Sequence, residues 1–265
     1  MTPRLRVSLV VAVAALAAAG IAVGVTLATR NHVPRQGATP PRFFADPTAP
    51  AGVARDVQDA LRAWPSGTVR RLRIVAAQHP TNALVRFELG LALAFTGSLA
   101  DARDAWRSAE RVQPDSPSAV RAEDALHPDA PPGKPPFVAS FTRPRTRVER
   151  LLVQGIAFQA ALRPVSAERV FAAAARLRPA RAEAQVAAAV GLYDKDHPER
   201  AFSRLGPLVR AFPQAQTVRF HLGLLLIYLR QFPQARVELR LAVAEGPQTP
   251  LATQARVLLN ASRKR

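Results

Sequence analysis

The chain contains no cysteine. Disulfides, thiolate nucleophiles, zinc–thiolate centres and cysteine-linked lipid anchors are therefore excluded, while the compartment stays open. Aromatic residues make up only 6% of the sequence, and β-branched runs are scarce. Alanine supplies much of the 48% hydrophobic content, and alanine is the best helix former. These shortages point to a helical protein. Lysine is nearly missing as well: Lys134, Lys195 and Lys264 are the only three among 37 basic residues, so 34 are arginine. A bias that lopsided, beside abundant alanine and proline, is what a GC-rich coding sequence produces without selection for binding. The arginines are also spread along the chain. Residues 48–147 carry 14 basic and 10 acidic side chains, and residues 148–265 carry 18 and 8. The formal charge of +18 is thus a weak signal for a polyanion, and nucleic acid is not the expected partner.

Catalytic patterns are missing too. The histidines are His32, His79, His127, His197 and His221, and no pair has metal-ligand spacing. There is no phosphate-cradling glycine loop, no Gly-x-Ser-x-Gly elbow and no metalloprotease helix. Asp194, Asp196 and Glu199 lie close in sequence, but in an expected inter-helix turn where capping is the simpler role. No enzyme, cofactor or metal is expected.

What is present begins at the N-terminus. After Arg4 and Arg6 the chain runs uncharged from Val7 to Ala28, a stretch of 22 residues. As a helix this reaches about 33 Å, enough for a hydrocarbon core. A cleaved signal peptide has a shorter apolar stretch, and cutting after Ala19 would leave an apolar tail. The reading is a tail at 1–6 and a transmembrane signal anchor at 7–29. The flanking arginines tie under the positive-inside rule. A very short N-terminal tail usually stays in the cytoplasm, so the body is placed outside the plasma membrane. Prolines at 34, 40, 41, 47 and 50 make residues 30–52 a semi-rigid linker.

Beyond the linker the sequence is metered. Pro179, Pro213 and Pro247 are spaced by 34 residues, with Ala167, Ala201 and Ala235 twelve before each. Pro114 has Ala102 at the same offset. Gly90, Gly155 and Gly223 stand 24 before their prolines, and Ala189 takes that place in the remaining unit. Trp106, Phe171, Leu205 and Leu239 recur eight before the proline. The small residues allow two helices to cross closely, the larger residue fills the space beside the crossing, and proline ends the second helix. Between helices, Ser98 with Asp101 fits a capping box, and Asp196 before His197-Pro198 fits an N-terminal cap.

This pattern resembles the tetratricopeptide repeat, a helix–turn–helix unit of 34 residues. With its anchor, the chain is similar to membrane-anchored bacterial proteins of that family. The implied fold is an all-α helix–turn–helix solenoid preceded by a single N-terminal transmembrane helix. Residues 53–127 form an N-terminal sub-array with 83–116 as its best unit, preceded by helices at Val53–Ala63 and Thr68–Gln78. A proline-rich loop at 128–147 leads to three contiguous units, 148–181, 182–215 and 216–249. Residues 250–265 close the stack as a capping helix with a basic tail.

In that family the first helices line a concave groove that takes extended or helical peptides. The lining positions fall here on Phe87, Leu91, Ala94 and Phe95; on Leu152, Ile156, Gln159 and Ala160; and on Val186, Val190, Tyr193 and Asp194. The last set is Phe220, Leu224, Ile227 and Tyr228. Members that grip chaperone C-terminal carboxylates use lysine and asparagine there, so the apolar set here argues against a carboxylate clamp. An apolar groove suits a helix or extended segment of another protein, or the intervening loop 128–147 folded back. The expected function is a membrane-tethered scaffold that binds a partner protein, and anchored relatives of the repeat imply assembly of an envelope complex. The alternative is an electrostatic adaptor whose arginine surface meets acidic lipids, cell-wall polymers or nucleic acid.

Overall fold

A computed structural model describes residues 39–262. They divide into two compact units, 39–133 and 134–262. The first unit contains α1 (Ala51–Leu61), α2 (Thr68–Gln78), α3 (Ala83–Phe95), α4 (Leu99–Val112) and α5 (Pro117–Leu126). The second contains α6 (Arg147–Ala160), α7 (Pro164–Leu177), α8 (Ala182–Gly191), α9 (Glu199–Leu205), α10 (Leu208–Ala211), α11 (Gln216–Tyr228), α12 (Phe232–Glu245) and α13 (Pro250–Ser262). Consecutive helices pack against each other within each unit, as in a helical repeat solenoid. No strand occurs among the described residues. The break between α9 and α10 falls at Gly206-Pro207, where proline cannot donate the next helical hydrogen bond.

The metered residues meet as their sizes require. A Cβ on Gly90 would lie 2.3 Å from the Trp106 indole, and one on Gly155 would lie 2.2 Å from the Phe171 ring. Gly223 faces Leu239 at 2.7 Å in the same way. Each large residue of the second helix therefore sits directly on the backbone of the first. Trp106 uses the contact further, donating its indole N–H to the Phe87 carbonyl at 3.3 Å. The first helix of each of these pairs also ends alike. Ser98, Arg163 and Gln231 return their N–H groups to Leu93, Phe158 and Leu226, closing a Schellman motif around a left-handed residue. That residue is Gly97 in one case, but Leu162 (φ 54°) and Arg230 (φ 59°) in the others.

Several expectations require correction. Among the described residues no helix is long and apolar enough to cross a membrane. The described residues are all-helical and include no transmembrane helix, and single-pass localisation to the plasma membrane is not supported. The expected anchor at 7–29, the tail at 1–6, linker residues 30–38 and the last residues, 263–265, lie outside the described residues. Residues 43–48 do not form a free spacer: Phe43 and Phe44 pack on the first unit's core, and Asp46 is buried. Ser98 is the N-cap of α4 but makes no side-chain capping bond. The capping box belongs instead to Thr146 and Glu149 at the start of α6. In the turn before α9, Asp194 accepts from the N–H groups of Asp196 and His197 at 2.9 and 3.2 Å.

Candidate interaction face

Each unit presents the inner side chains of its first helices to an extended segment of its own chain. In the second unit the segment is 134–141, which lies just N-terminal to α6. Phe137 is 2% exposed. Its ring stands edge-on to Phe171, with centroids 5.4 Å apart, and stacks on the His221 ring at 5.0 Å. Prolines at 135 and 136 keep the segment out of a helix, so its N–H groups must find partners elsewhere.

Those partners are side chains on three different helices. Gln159 of α6 accepts from Phe137 N–H at 2.9 Å and donates to the Pro135 carbonyl at 3.3 Å. Glu183 of α8 accepts the N–H and hydroxyl of Ser140 on one oxygen, at 2.8 and 2.6 Å. His221 of α11 accepts from Val138 N–H through Nε2 at 2.9 Å. Its Nδ1–H donates to the Thr217 carbonyl at 2.7 Å, which fixes the neutral tautomer. Burial holds the His221 pKa down at about 4, so the ring remains an acceptor at neutral pH. Tyr228 donates to the Lys134 carbonyl at 3.2 Å, and the Lys134 ammonium donates to the Tyr193 carbonyl at 3.1 Å.

The first unit repeats this arrangement with residues 43–48. Phe44 stands edge-on to Phe87 at 5.8 Å, and the Arg121 guanidinium lies over its ring at 5.1 Å. Glu88 of α3 accepts from Phe44 N–H at 2.9 Å, and Arg121 donates to the Ala45 carbonyl at 3.0 Å. Asp46 accepts from the backbone N–H and the hydroxyl of Ser118. Burial pushes the Glu88 carboxyl up to about 8, opposed by the Phe44 N–H and by Arg121. Its Oε2 has no hydrogen-bond partner, which leaves nothing on that oxygen to offset the cost of burying a negative charge.

The residues expected to line a groove are distributed as follows. Phe87 is buried under Phe44, Leu91 is half-buried on the first core, and Phe95 is half-buried and edge-on to Trp64 at 6.0 Å. Leu152, Val190 and Tyr193 are buried with Phe137, and Ile156 is half-buried beside them. Phe220 and Leu224 are buried, and Ile227 and Tyr228 are half-buried. Tyr193 and Tyr228 meet edge-on at 5.6 Å. Glu88, Glu183 and His221 are absent from the sequence-based set. Glu88 and His221 hold the same register, two residues before Gly90 and Gly223, and each interrupts an apolar helix run. That shared interruption was the available signal.

Among the described residues no group of three or more histidine or acidic side chains could hold a metal ion. No family model matches the chain, and no curated protein matches it significantly.

Proposed function

We propose that the protein is a non-enzymatic interaction scaffold of the tetratricopeptide type, whose inner helix faces take extended segments of partner proteins. The observation that carries this reading is how segment 134–141 is held. Gln159, Glu183 and His221 hold its main chain, while one aromatic side chain fills a pocket on Phe171. Main-chain recognition with a side-chain anchor is a general mode of binding extended peptides. In this reading the chain's own segment is the resident occupant, and a partner segment of similar form takes its place. The resident competes at high local concentration because it is covalently linked. Exchange therefore requires a partner that supplies more than one anchor.

The test uses the full chain and a synthetic peptide of residues 134–142. In the Phe137→Ala protein, whose resident segment has lost its anchor, the peptide binds one-to-one and raises the unfolding temperature of the second unit. The same peptide with its phenylalanine replaced by alanine does neither. The wild-type protein, with the face filled, binds far less. Equal binding to both proteins, or none to either at millimolar peptide, refutes the reading.

A further inference from the structure

Charge is divided unevenly between the two units. Residues 39–133 carry 11 basic and 11 acidic side chains, whereas residues 134–262 carry 19 and 8. The second unit has more basic and fewer acidic side chains than the first. Its acidic groups are also largely consumed inside it. Arg181 bonds Glu149 at 2.8 Å and Glu183 at 2.9 Å, and Arg219 lies 3.1 Å from Glu238 and 3.6 Å from Glu245. Asp194 lies 4.0 Å from Arg200.

One edge of the unit is left strongly positive. Arg143, Arg145, Arg147 and Arg150 come from the end of the extended segment and the first turn of α6, and all are exposed. Arg176 and Arg178, at the end of α7, are exposed as well. The two groups share one edge because Arg181, just after α7, reaches Glu149 in the first turn of α6, and Arg181 N–H bonds the Arg178 carbonyl at 3.0 Å. None of these six side chains has an ion-pair partner among the described residues. Arg147 also stands at a helix start, where the macrodipole disfavours a cation, so helix stability does not account for it.

The chemistry of the edge selects carboxylates. The Glu149 carboxyl is held at about 2, first by the hydrogen bond from Arg181 and then by the N–H groups of Arg145 and Thr146. Carboxylate is thus already gripped in the middle of the cluster. Arginine suits such pairing through its planar fork. No phenylalanine, tyrosine or tryptophan is exposed among the described residues, so the edge lacks the large rings on which single-stranded bases stack.

We infer that this arginine edge, built from Arg143, Arg145, Arg147 and Arg178 around the start of α6, is a docking surface for an acidic segment of a partner protein. It lies beside the inner helix face, to which Arg181 joins it through Glu183, and the inference does not rest on the function proposed for that face. The full-length protein is titrated into a fluorescent peptide of alternating glutamate and alanine, and into a single-stranded oligothymidylate of equal charge. Two variants accompany it. One carries Arg143→Glu, Arg145→Glu, Arg147→Glu and Arg178→Glu. The other carries Arg169→Glu, Arg204→Glu, Arg240→Glu and Arg256→Glu, the same charge change at exposed positions elsewhere in the unit. Circular dichroism confirms that both are folded. The expected result is peptide binding that weakens with salt, falls about tenfold or more in the first variant, and changes less than about threefold in the second. Equal loss in both variants would reduce the edge to net charge and overturn the proposal. Absence of binding to the wild-type protein overturns it too, as does tighter binding of the oligonucleotide through the same four arginines.

Discussion

Replacing Phe137 with alanine separates a segment that belongs to the core from one that merely lies on it. The ring is 2% exposed and contacts both Phe171 and His221. A phenylalanine buries roughly 150–250 Å², and at about 25 cal/mol per Å² the part removed by truncation is worth about 3 kcal/mol. The space left behind and the lost ring pairs bring the expected cost to about 3–5 kcal/mol. A side chain on a surface loop would cost less than about 0.5 kcal/mol. The sequence supplies its own assay, because Trp64 and Trp106 are the only tryptophans and both lie in the first unit, while the only tyrosines, Tyr193 and Tyr228, lie in the second. Denaturant unfolding followed by tyrosine emission should shift by the full amount. The transition followed by tryptophan should stay near its wild-type position. A loss below about 1 kcal/mol in the tyrosine transition would refute the claim that the segment is core.

Acid should weaken the second unit through His221. Its folded pKa of about 4 lies below the ordinary 6.5, so its contribution is complete above pH 6.5 and is lost as pH falls towards 4, by about 3 kcal/mol; His221→Gln should flatten that dependence in tyrosine-monitored unfolding. Glu88 acts in the opposite sense. Its folded pKa of about 8 exceeds the ordinary 4.5, so the first unit should lose stability as pH rises from 4.5 to 8 and level off above, and Glu88→Gln should abolish the loss in tryptophan-monitored unfolding. Gly155→Ala should cost about 1–3 kcal/mol or more by driving a methyl group into Phe171. Gly97→Ala, with open space around its Cβ position but φ at 86°, should cost about 1 kcal/mol from backbone strain alone. Chemical denaturation of each variant measures both glycine effects.

The repeat was legible because its constraints are steric and local. A glycine facing Trp106, Phe171 or Leu239 can be read from spacing alone. The turn residues Leu162 and Arg230 could not be read, since their left-handed backbone is imposed by the Schellman closure and not announced by a glycine. The two extended segments looked like linkers because proline is what both a tether and a non-helical occupant require. Their difference lies in N–H groups whose acceptors, Gln159, Glu183 and His221, are far away in sequence. Glu88 and His221 are polar residues inside apolar helix runs, and nothing in the spacing ties either one to an N–H group 44 or 83 residues away. The apolar stretch at 7–29 drew the membrane assignment by length and composition alone, and no described helix supports it.

Segment 134–141 precedes every helix that holds it, and its latches lie at increasing distances along the chain. The acceptor for Phe137 comes 22 residues later, that for Ser140 comes 43 later, and that for Val138 comes 83 later. At about 5–20 residues per second of synthesis, the first becomes available within about 1–4 s and the last only after about 4–17 s. The apolar face of each new helix therefore emerges to find its cover already made. During synthesis the segment is thus available before each of its three latches, and His221 is the last of them to be made.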